Sequence, residues 1–425
     1  MVGSLIENML LDEKFFYVFD TVLLFLVFLL WRLRLRDYFL SYKLYRTDSR
    51  NRDVPDPGSE QGMASLPEKS VWERVQPLRL SVVVPGYNQA GCLEQNLPVL
   101  LEQEFEHYEV IVVMDESSTD DTKDVLERLE KRYPHLRHTF VPATARYVSR
   151  RKLAVTLGVR SARSPWVLFT CADALPASPH WLSRMSAAMT DDSDFVLGCA
   201  GYEDDGTAAG RRARYERQAK TVRDLRAAYS GKAIGGDVAN WAVRKSFFLE
   251  NRGYADSLTV PFGETDSLLD ALSRKGRTSL EVHPGSLVVQ ALPSEEILRA
   301  DRICLRAVQL HLGRRSRMYL WRESMAALAV YLFVATLSAY LVARFMAVSV
   351  TGAYDWPELC ADAVALFAVV LSLCLSSVAR RRFSTATGIC RFGLPAILFY
   401  SLWLPLANQV VRFRRWRSRH DFVRR

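Results

Sequence analysis

The chain has 425 residues, 49% hydrophobic and 24% charged, with a formal net charge of +9. That length holds one large domain or two of ordinary size and closes a core without disulfides. Much of the excess charge is arginine set beside apolar segments, which points to membrane lipid as a partner and away from nucleic acid. The seven cysteines, at 92, 171, 199, 304, 360, 374 and 390, form no CxxC pair, as fits a reduced, cytosol-facing central region.

Phe15 to Trp31 is broken only by Asp20 and followed at once by Arg32, Arg34 and Arg36, so it reads as a short membrane-spanning helix. A signal peptide carries its charges before the apolar run; here they follow, and residues 1–46 are expected to be an uncleaved anchor. Residues 47–77 are polar, hold four prolines and show neither helical nor strand periodicity, which makes them a linker.

From Leu78 the texture changes. LRLSVVVP (78–85) and EVIVVMD (109–115) read as strands, and between them Leu93, Leu97, Leu100 and Leu101 mark the buried face of a helix. A second helix is expected over 120–132, with Asp120 and Asp121 at its N-terminus and Val125, Leu126 and Leu129 as its buried stripe. WVLFT (166–170) is a third strand and runs into CADALP. Strands alternating with helices predict an α/β class with a mainly parallel sheet. In open sheets of that kind ligands bind beyond the carboxyl ends of the strands. Pro85, Asp115 and Asp173 fall at or just past three such ends, where converging polar groups can grip a nucleotide and its metal. One aspartate after a strand is ordinarily a turn former or helix cap. Two in the same α/β half, followed by the motifs below, indicate a site.

At these residues the chain resembles the family 2 inverting glycosyltransferases of GT-A fold, over roughly residues 78–306. SVVVPGYNQ (81–89), with Pro85 and Tyr87, is similar to the family's strand-and-turn opening, and VVMDESSTDDT (112–122) to the element whose aspartate, here Asp115, contacts the nucleotide base. RKLAVTLGVRSA (151–162) resembles the lysine-led helix that precedes the metal-binding strand, which places Lys152 near the nucleotide. CAD (171–173) stands where the family has DxD. The resemblance therefore implies a divalent metal, Mg or Mn, on Asp173, bridging the donor phosphates, with Cys171 replacing the first carboxylate.

GGDVANWAVRKSFF (235–248) looks like the acceptor-side segment, with Asn240 and Trp241 at its centre. GETDSLLDALSRKG (263–276) resembles the element carrying the general base that takes the acceptor proton during inversion. Strict alignment puts Thr265 at the base position, so Glu264 or Asp266 has to substitute. RADRI (299–303) falls where relatives carry QxxRW: Arg302 matches and would sit near the diphosphate or acceptor, whereas Arg299 and Ile303 depart from the pattern. His283 is either a metal ligand or, more ordinarily for a lone histidine, structural.

Three further apolar segments follow: Met325 to Val350, Ala363 to Ala379 and Phe392 to Val411. The first two are separated by a loop with Asp355, Glu358 and Asp362 and no Lys or Arg, expected outside, which puts residues 32–324 in the cytoplasm. Arginines flank the last segment on both sides, and Pro395 and Pro405 lie within it, so a re-entrant hairpin or an interfacial helix is expected there. The expected order is thus anchor (1–46), linker (47–77), cytoplasmic transferase domain (78–323), membrane segments (324–411) and basic tail (412–425). The apolar segments together with the resemblance imply a multi-pass protein of the bacterial inner membrane. It would move a sugar from a nucleotide-diphospho-sugar donor to a lipid-linked or envelope glycan acceptor. The competing reading is a non-catalytic membrane-tethered binding or scaffold protein that keeps a degenerate transferase fold. A processive synthase is disfavoured by the few spanning segments and the broken QxxRW.

Overall fold

The computed structural model describes Thr21, Val22, Phe25 and Phe28, all helical, and residues 80–145, 148–273, 277–351 and 356–417. The rest of the expected anchor, the linker and the end of the basic tail lie outside the described residues.

Strand β1 (Leu80–Gly86) is buried at every residue from Leu80 to Val84, as befits a run of branched residues covered on both faces. It pairs in parallel with β2 (Tyr108–Asp115), and β2 in turn with β3 (Leu136–Val141). On its other side β1 pairs in parallel with β4 (Trp166–Phe169). Parallel neighbours need crossovers, and helices α1 (Ala90–Leu101), α2 (Thr122–Arg132) and α3 (Arg150–Ser161) occupy the intervals between these strands. The second half of the chain adds β5 (Ala174–Pro176), β6 (Phe195–Leu197), β7 (Ala200–Tyr202), β8 (Trp241–Arg244), β9 (Thr278–Leu280) and β10 (Val288–Gln290). Its helices are α4 (Trp181–Ala187), α5 (Ala208–Tyr229), α6 (Lys245–Glu250), α7 (Glu264–Leu272) and α8 (Glu295–His311). The large sheet has the order β3-β2-β1-β4-β8-β6-β9, and β8 runs against both its neighbours, so the sheet is mixed. A small sheet, β5-β10-β7, accompanies it.

One strand departs from the sequence reading. LRHTFV forms β3, an edge strand that mixes polar and apolar residues, so WVLFT is the fourth strand rather than the third. His283 lies beyond β9 and not in a strand; its Nδ1 accepts from Gly285 N at 3.0 Å and caps a short 3-10 turn.

One face of the large sheet packs Leu80, Val82, Val84, Val110 and Val112 against Leu93 and Leu97 of α1 and Val125 and Leu126 of α2. On the other face α3 rests on β1 so closely that a Cβ at Gly158 would lie 2.4 Å from Val83 Cγ1. That contact orients α3, burying Lys152, Val155 and Val159 along one stripe.

The chain divides into two compact units. One, Lys43–Arg317 with Arg382–Phe392 and Gln409–Arg425, contains both sheets. The other takes in Met1–Tyr42, Met318–Arg381 and Gly393–Asn408, and most of helices α9 (Arg314–Thr351), α10 (Trp356–Thr387) and α11 (Leu394–Arg417). Inside this second unit Ala329, Val330, Phe333, Leu337 and Val369 cluster, while Leu332, Val334, Phe345, Val364, Phe367 and Phe399 stay exposed. Among the described residues one helix, Arg314–Ala343, is long and apolar enough to cross a membrane, and Leu394–Ala407 is a shorter apolar stretch. Glu358 and Asp362 belong to α10 rather than to the preceding loop. Of the two forms expected over Phe392 to Val411, a re-entrant hairpin or an interfacial helix, the hairpin is not formed: α11 is one continuous helix through Pro405.

Candidate active site

The carboxyl ends of β1 and β2 open into a cleft of about 410 Å³ lined by Pro85, Tyr87, Gln89, Asp115, Ser117, Arg150, Arg151 and a few small or apolar neighbours. Beside it the loops that follow β1 and β2 are linked. Asn88 adopts a left-handed backbone (φ 49°), and its Oδ1 accepts from Thr119 N at 2.8 Å. Asp120 Oδ2 accepts from Ala90 N at 2.9 Å, tying the start of α1 to the turn before α2.

Asp115 ends β2, where the sheet stops and its carboxylate turns into the cleft. Its Oδ1 accepts from Ser117 N at 2.8 Å and Ser117 Oγ at 2.5 Å, and Arg150 donates to both of its oxygens. Burial by itself would raise this carboxyl, but the hydrogen bonds from Arg150 and Ser117 outweigh it and hold the group below the usual carboxylate range. Asp115 is therefore an anion throughout the physiological range, fixed in direction.

Arg151 faces the same cleft with a side chain 44% exposed. Its Nη2 donates to Cys171 Sγ at 3.0 Å, and its Nε lies 3.9 Å from Glu264 Oε1. Ser149 caps α3 by accepting from Lys152 N, and the following turn sends Arg150, Arg151 and Ala154 toward the cleft. Asp173, two residues past Cys171, accepts at Oδ1 from Gln290 Nε2 at 2.7 Å. Gln290 is held by Arg217, which also forks onto both oxygens of Asp237 at 2.9 and 2.8 Å.

All of these residues except Glu264 and Gln290 fall within residues 81–251, which match the family described as "Glycosyl transferase family 2". The chain carries a family 2 glycosyltransferase domain. It is 34% identical over 129 residues to the validoxylamine A glucosyltransferase of Streptomyces hygroscopicus subsp. jinggangensis, covering 29% of each protein. It is 42% identical over 53 residues, 12% of this chain and 17% of the relative, to the GalNAc(5)-diNAcBac-PP-undecaprenol beta-1,3-glucosyltransferase of Campylobacter jejuni. The chain thus spans less than a third of the length of the first curated relatives it matches. Among solved structures it is similar to the mannosyltransferase PcManGT from Pyrobaculum calidifontis in complex with GDP-Man and Mn2+, at 19% identity over 89% of this chain and 99% of that one, with a TM-score of 0.46.

Within the transferase domain the expected site residues part company. Pro85, Tyr87 and Asp115 line the cleft together. Lys152 does not: it is fully buried on the apolar stripe of α3, its Nζ donates to Ser257 O at 2.9 Å, and burial lowers it to about 8 against the pull of Glu264 and Asp266. Asn240 and Trp241, expected on the acceptor side, are core residues. Trp241 is 1% exposed and stacks on Phe169 at 4.2 Å, since β8 lies in the middle of the sheet. Asn240 spends its amide on Cys199 O and Ser286 O, and its oxygen accepts from Trp181 Nε1. Arg302 donates to Glu216 Oε2 at 2.6 Å, and the neighbouring Asp301 is the member of that helix that feels Arg151 and Glu264.

The two candidate bases diverge as well. Glu264 approaches Arg151, whereas Asp266 lies 3.3 Å from Lys220 Nζ in a buried cluster with Asp224 and Arg223. Burial raises the Asp266 carboxyl, Lys220 opposes that and Asp224 adds to it. Thr265, between them, is fully buried.

The surroundings of Asp173 are ill suited to Mg or Mn. These are hard cations that take oxygen ligands, and here the neighbouring ligand position is a thiol already in contact with a guanidinium. Among the described residues no group of three His, Cys, Asp or Glu side chains is gathered to hold a metal. Arg150 and Arg151 are the functional residues that sequence reasoning passed over. The triplet Arg150-Arg151-Lys152 at a helix start was the available signal, because cations are unfavourable at the positive end of a helix and call for an anion nearby.

Proposed function

We propose that this protein is an inverting glycosyltransferase of GT-A type that moves a hexosyl group from a nucleotide-diphospho-sugar to an acceptor hydroxyl. The observation that carries this is the cleft at the carboxyl ends of β1 and β2, with an oriented carboxylate at one end, two arginines along it, and a second carboxylate, Glu264, approaching the far arginine. Asp115 accepts hydrogen bonds from the nucleoside, Tyr87 covers it, and the arginines receive the diphosphate. In the transfer step the acceptor oxygen bonds the anomeric carbon from the side opposite the phosphate. The carbon–oxygen bond to the diphosphate breaks, its electron pair leaves with the nucleoside diphosphate, and the acceptor proton passes to Glu264. Glu264 is the base in this reading because of its place: it approaches Arg151, which lines the cleft, while Asp266 sits in the cluster of Lys220, Asp224 and Arg223.

A lipid-linked or envelope glycan acceptor is supported by the apolar helix Arg314–Ala343 and by the Campylobacter jejuni relative, whose name places its substrate on PP-undecaprenol. The same helix supports attachment to a membrane, and Arg314, Arg315 and Arg317 at its start favour the cytoplasmic side of a bacterial plasma membrane for the transferase domain. Incubation with a panel of UDP-, GDP- and other nucleotide-sugars tests this reading, with release of nucleoside diphosphate as the readout. Turnover with one donor, abolished by Glu264→Gln, is the expected result. Absence of turnover across the panel, with nucleotide still bound, would replace it with the non-catalytic binding reading.

A further inference from the structure

In a transferase of this kind the leaving nucleoside diphosphate gains negative charge as the sugar departs, and something positive must face it. Near Asp173 the chain has placed a side chain there. Arg151 reaches from the first turn of α3 into the cleft that also holds Asp115 and Tyr87. Its Nη2 lies 3.0 Å from Cys171 Sγ, the position at which a carboxylate would otherwise stand. An aspartate at 171 would meet the guanidinium as an ion pair and neutralise it; a thiol leaves its charge available. Its Nε approaches Glu264 at 3.9 Å, so one guanidinium lies between Cys171 and the proposed base. Asp173 meanwhile accepts from Gln290, itself bonded by Arg217, which is paired with Asp237. The start of α3 reinforces the positive field, since its first turn contains no acidic residue.

We propose that Arg151 takes the place of the divalent cation, binding the donor diphosphate and compensating the charge that forms on the departing nucleoside diphosphate, so that donor binding and transfer require no Mg or Mn. This rests on the cleft being the donor site. When the anomeric carbon–oxygen bond breaks, its electron pair settles on a phosphate oxygen facing Arg151, while the acceptor proton goes to Glu264. The guanidinium stays protonated throughout and exchanges no atom.

The test is calorimetric binding of UDP and of GDP to the full chain, in chelator and then with Mn2+. For the nucleotide that binds, affinity should agree within about twofold between the two conditions. Arg151→Gln should weaken it by about tenfold or more, and Arg151→Lys, which keeps the charge but loses the fork, should recover part of the loss. Cys171→Asp should also weaken metal-free binding, by pairing with Arg151, which keeps the idea testable if Arg151→Gln fails to fold. Wild-type binding that appears only with Mn2+, or an Arg151→Gln protein that folds and binds as tightly as wild type, would overturn the inference and leave the donor-site reading standing. If neither nucleotide binds under any condition, the donor-site reading falls and the inference falls with it.

Discussion

Glu264 and Asp266 leave the same turn of α7, and the two regions they enter are built from the same kinds of side chain. Glu264 faces Arg151, which also meets Cys171 and Asp173, and Asp301; around Asp266 stand Lys220, Asp224 and Arg223. The second cluster is closed. Lys220 donates to Asp224 at 2.7 Å and to Gly236 O at 3.0 Å as well as approaching Asp266, and Asp224 is 2% exposed. A Cβ on Gly235 would come within 2.2 Å of Asp266 Oδ1, so the backbone itself seals the cluster. The first cluster opens on the cleft through Arg151, whose contacts with Cys171 and Glu264 leave it reachable. Two similar sets of charges thus serve different ends: where every donor and acceptor is matched inside, the set holds the fold, and where one cation stays open, it can receive a ligand.

The largest expected effect breaks this comparison if it fails. Glu264→Gln should lower kcat by about a hundred- to ten-thousand-fold with little change in nucleotide affinity, as loss of a general base does. Asp266→Asn should leave kcat within about tenfold of wild type and cost about 1–3 kcal/mol of stability, since Lys220 keeps Asp224 as a partner. Steady-state kinetics beside denaturant unfolding separates the two. The reverse pattern would move the base to the closed cluster.

Next in size is the sheet between the two regions. Trp241→Ala should cost about 3–5 kcal/mol, because it empties the stack on Phe169 in a fully buried strand. Trp241→Phe should fold and leave the acceptor KM unchanged. A rise in KM with intact stability would return Trp241 to the acceptor side. At the nucleotide end Asp115→Asn should weaken UDP or GDP binding by about tenfold, because the amide cannot accept the paired hydrogen bonds of Arg150 at both atoms.

How far these regions could be read from sequence depends on which physical signal carried them. The valine runs of β1 and β2 announce buried parallel strands, and the leucines of α1 announce the face that covers them. β3 escaped because LRHTFV alternates imperfectly at a sheet edge, and β5, β7 and β10 because three-residue strands have no periodicity to detect. The place of Pro85 and Asp115 along the cleft was legible because strand ends fix it without reference to anything distant, and Tyr87 came with the resemblance of SVVVPGYNQ. Asn240, Trp241 and Arg302 were not, since whether such side chains face a ligand or a core depends on partners such as Phe169, Cys199 and Glu216, remote in sequence. Arg151 and Lys152 are adjacent, and the Ser149 cap together with the seating of Gly158 on Val83 orients α3 so that the arginine enters the cleft.

That last distinction supplies the smallest effect and the finest test. Lys152 lies in the stripe with Val155 and Val159, three and seven residues ahead of them, and burial lowers its amine from an ordinary 10.5 to about 8, with Glu264 and Asp266 pulling the other way. Between those two values the unfolded chain binds a proton that the folded chain does not, so this group makes folding more favourable as pH rises from about 8 toward 10.5, and less favourable below. Lys152→Met keeps the length and apolar body of the side chain and removes the titration. Its unfolding free energy, compared with wild type across that window, should show a flatter rise with pH, and nucleotide affinity at neutral pH should be unchanged. An identical pH slope in both proteins would mean that Lys152 is solvated, and a fall in nucleotide affinity would place it in the cleft beside Arg151.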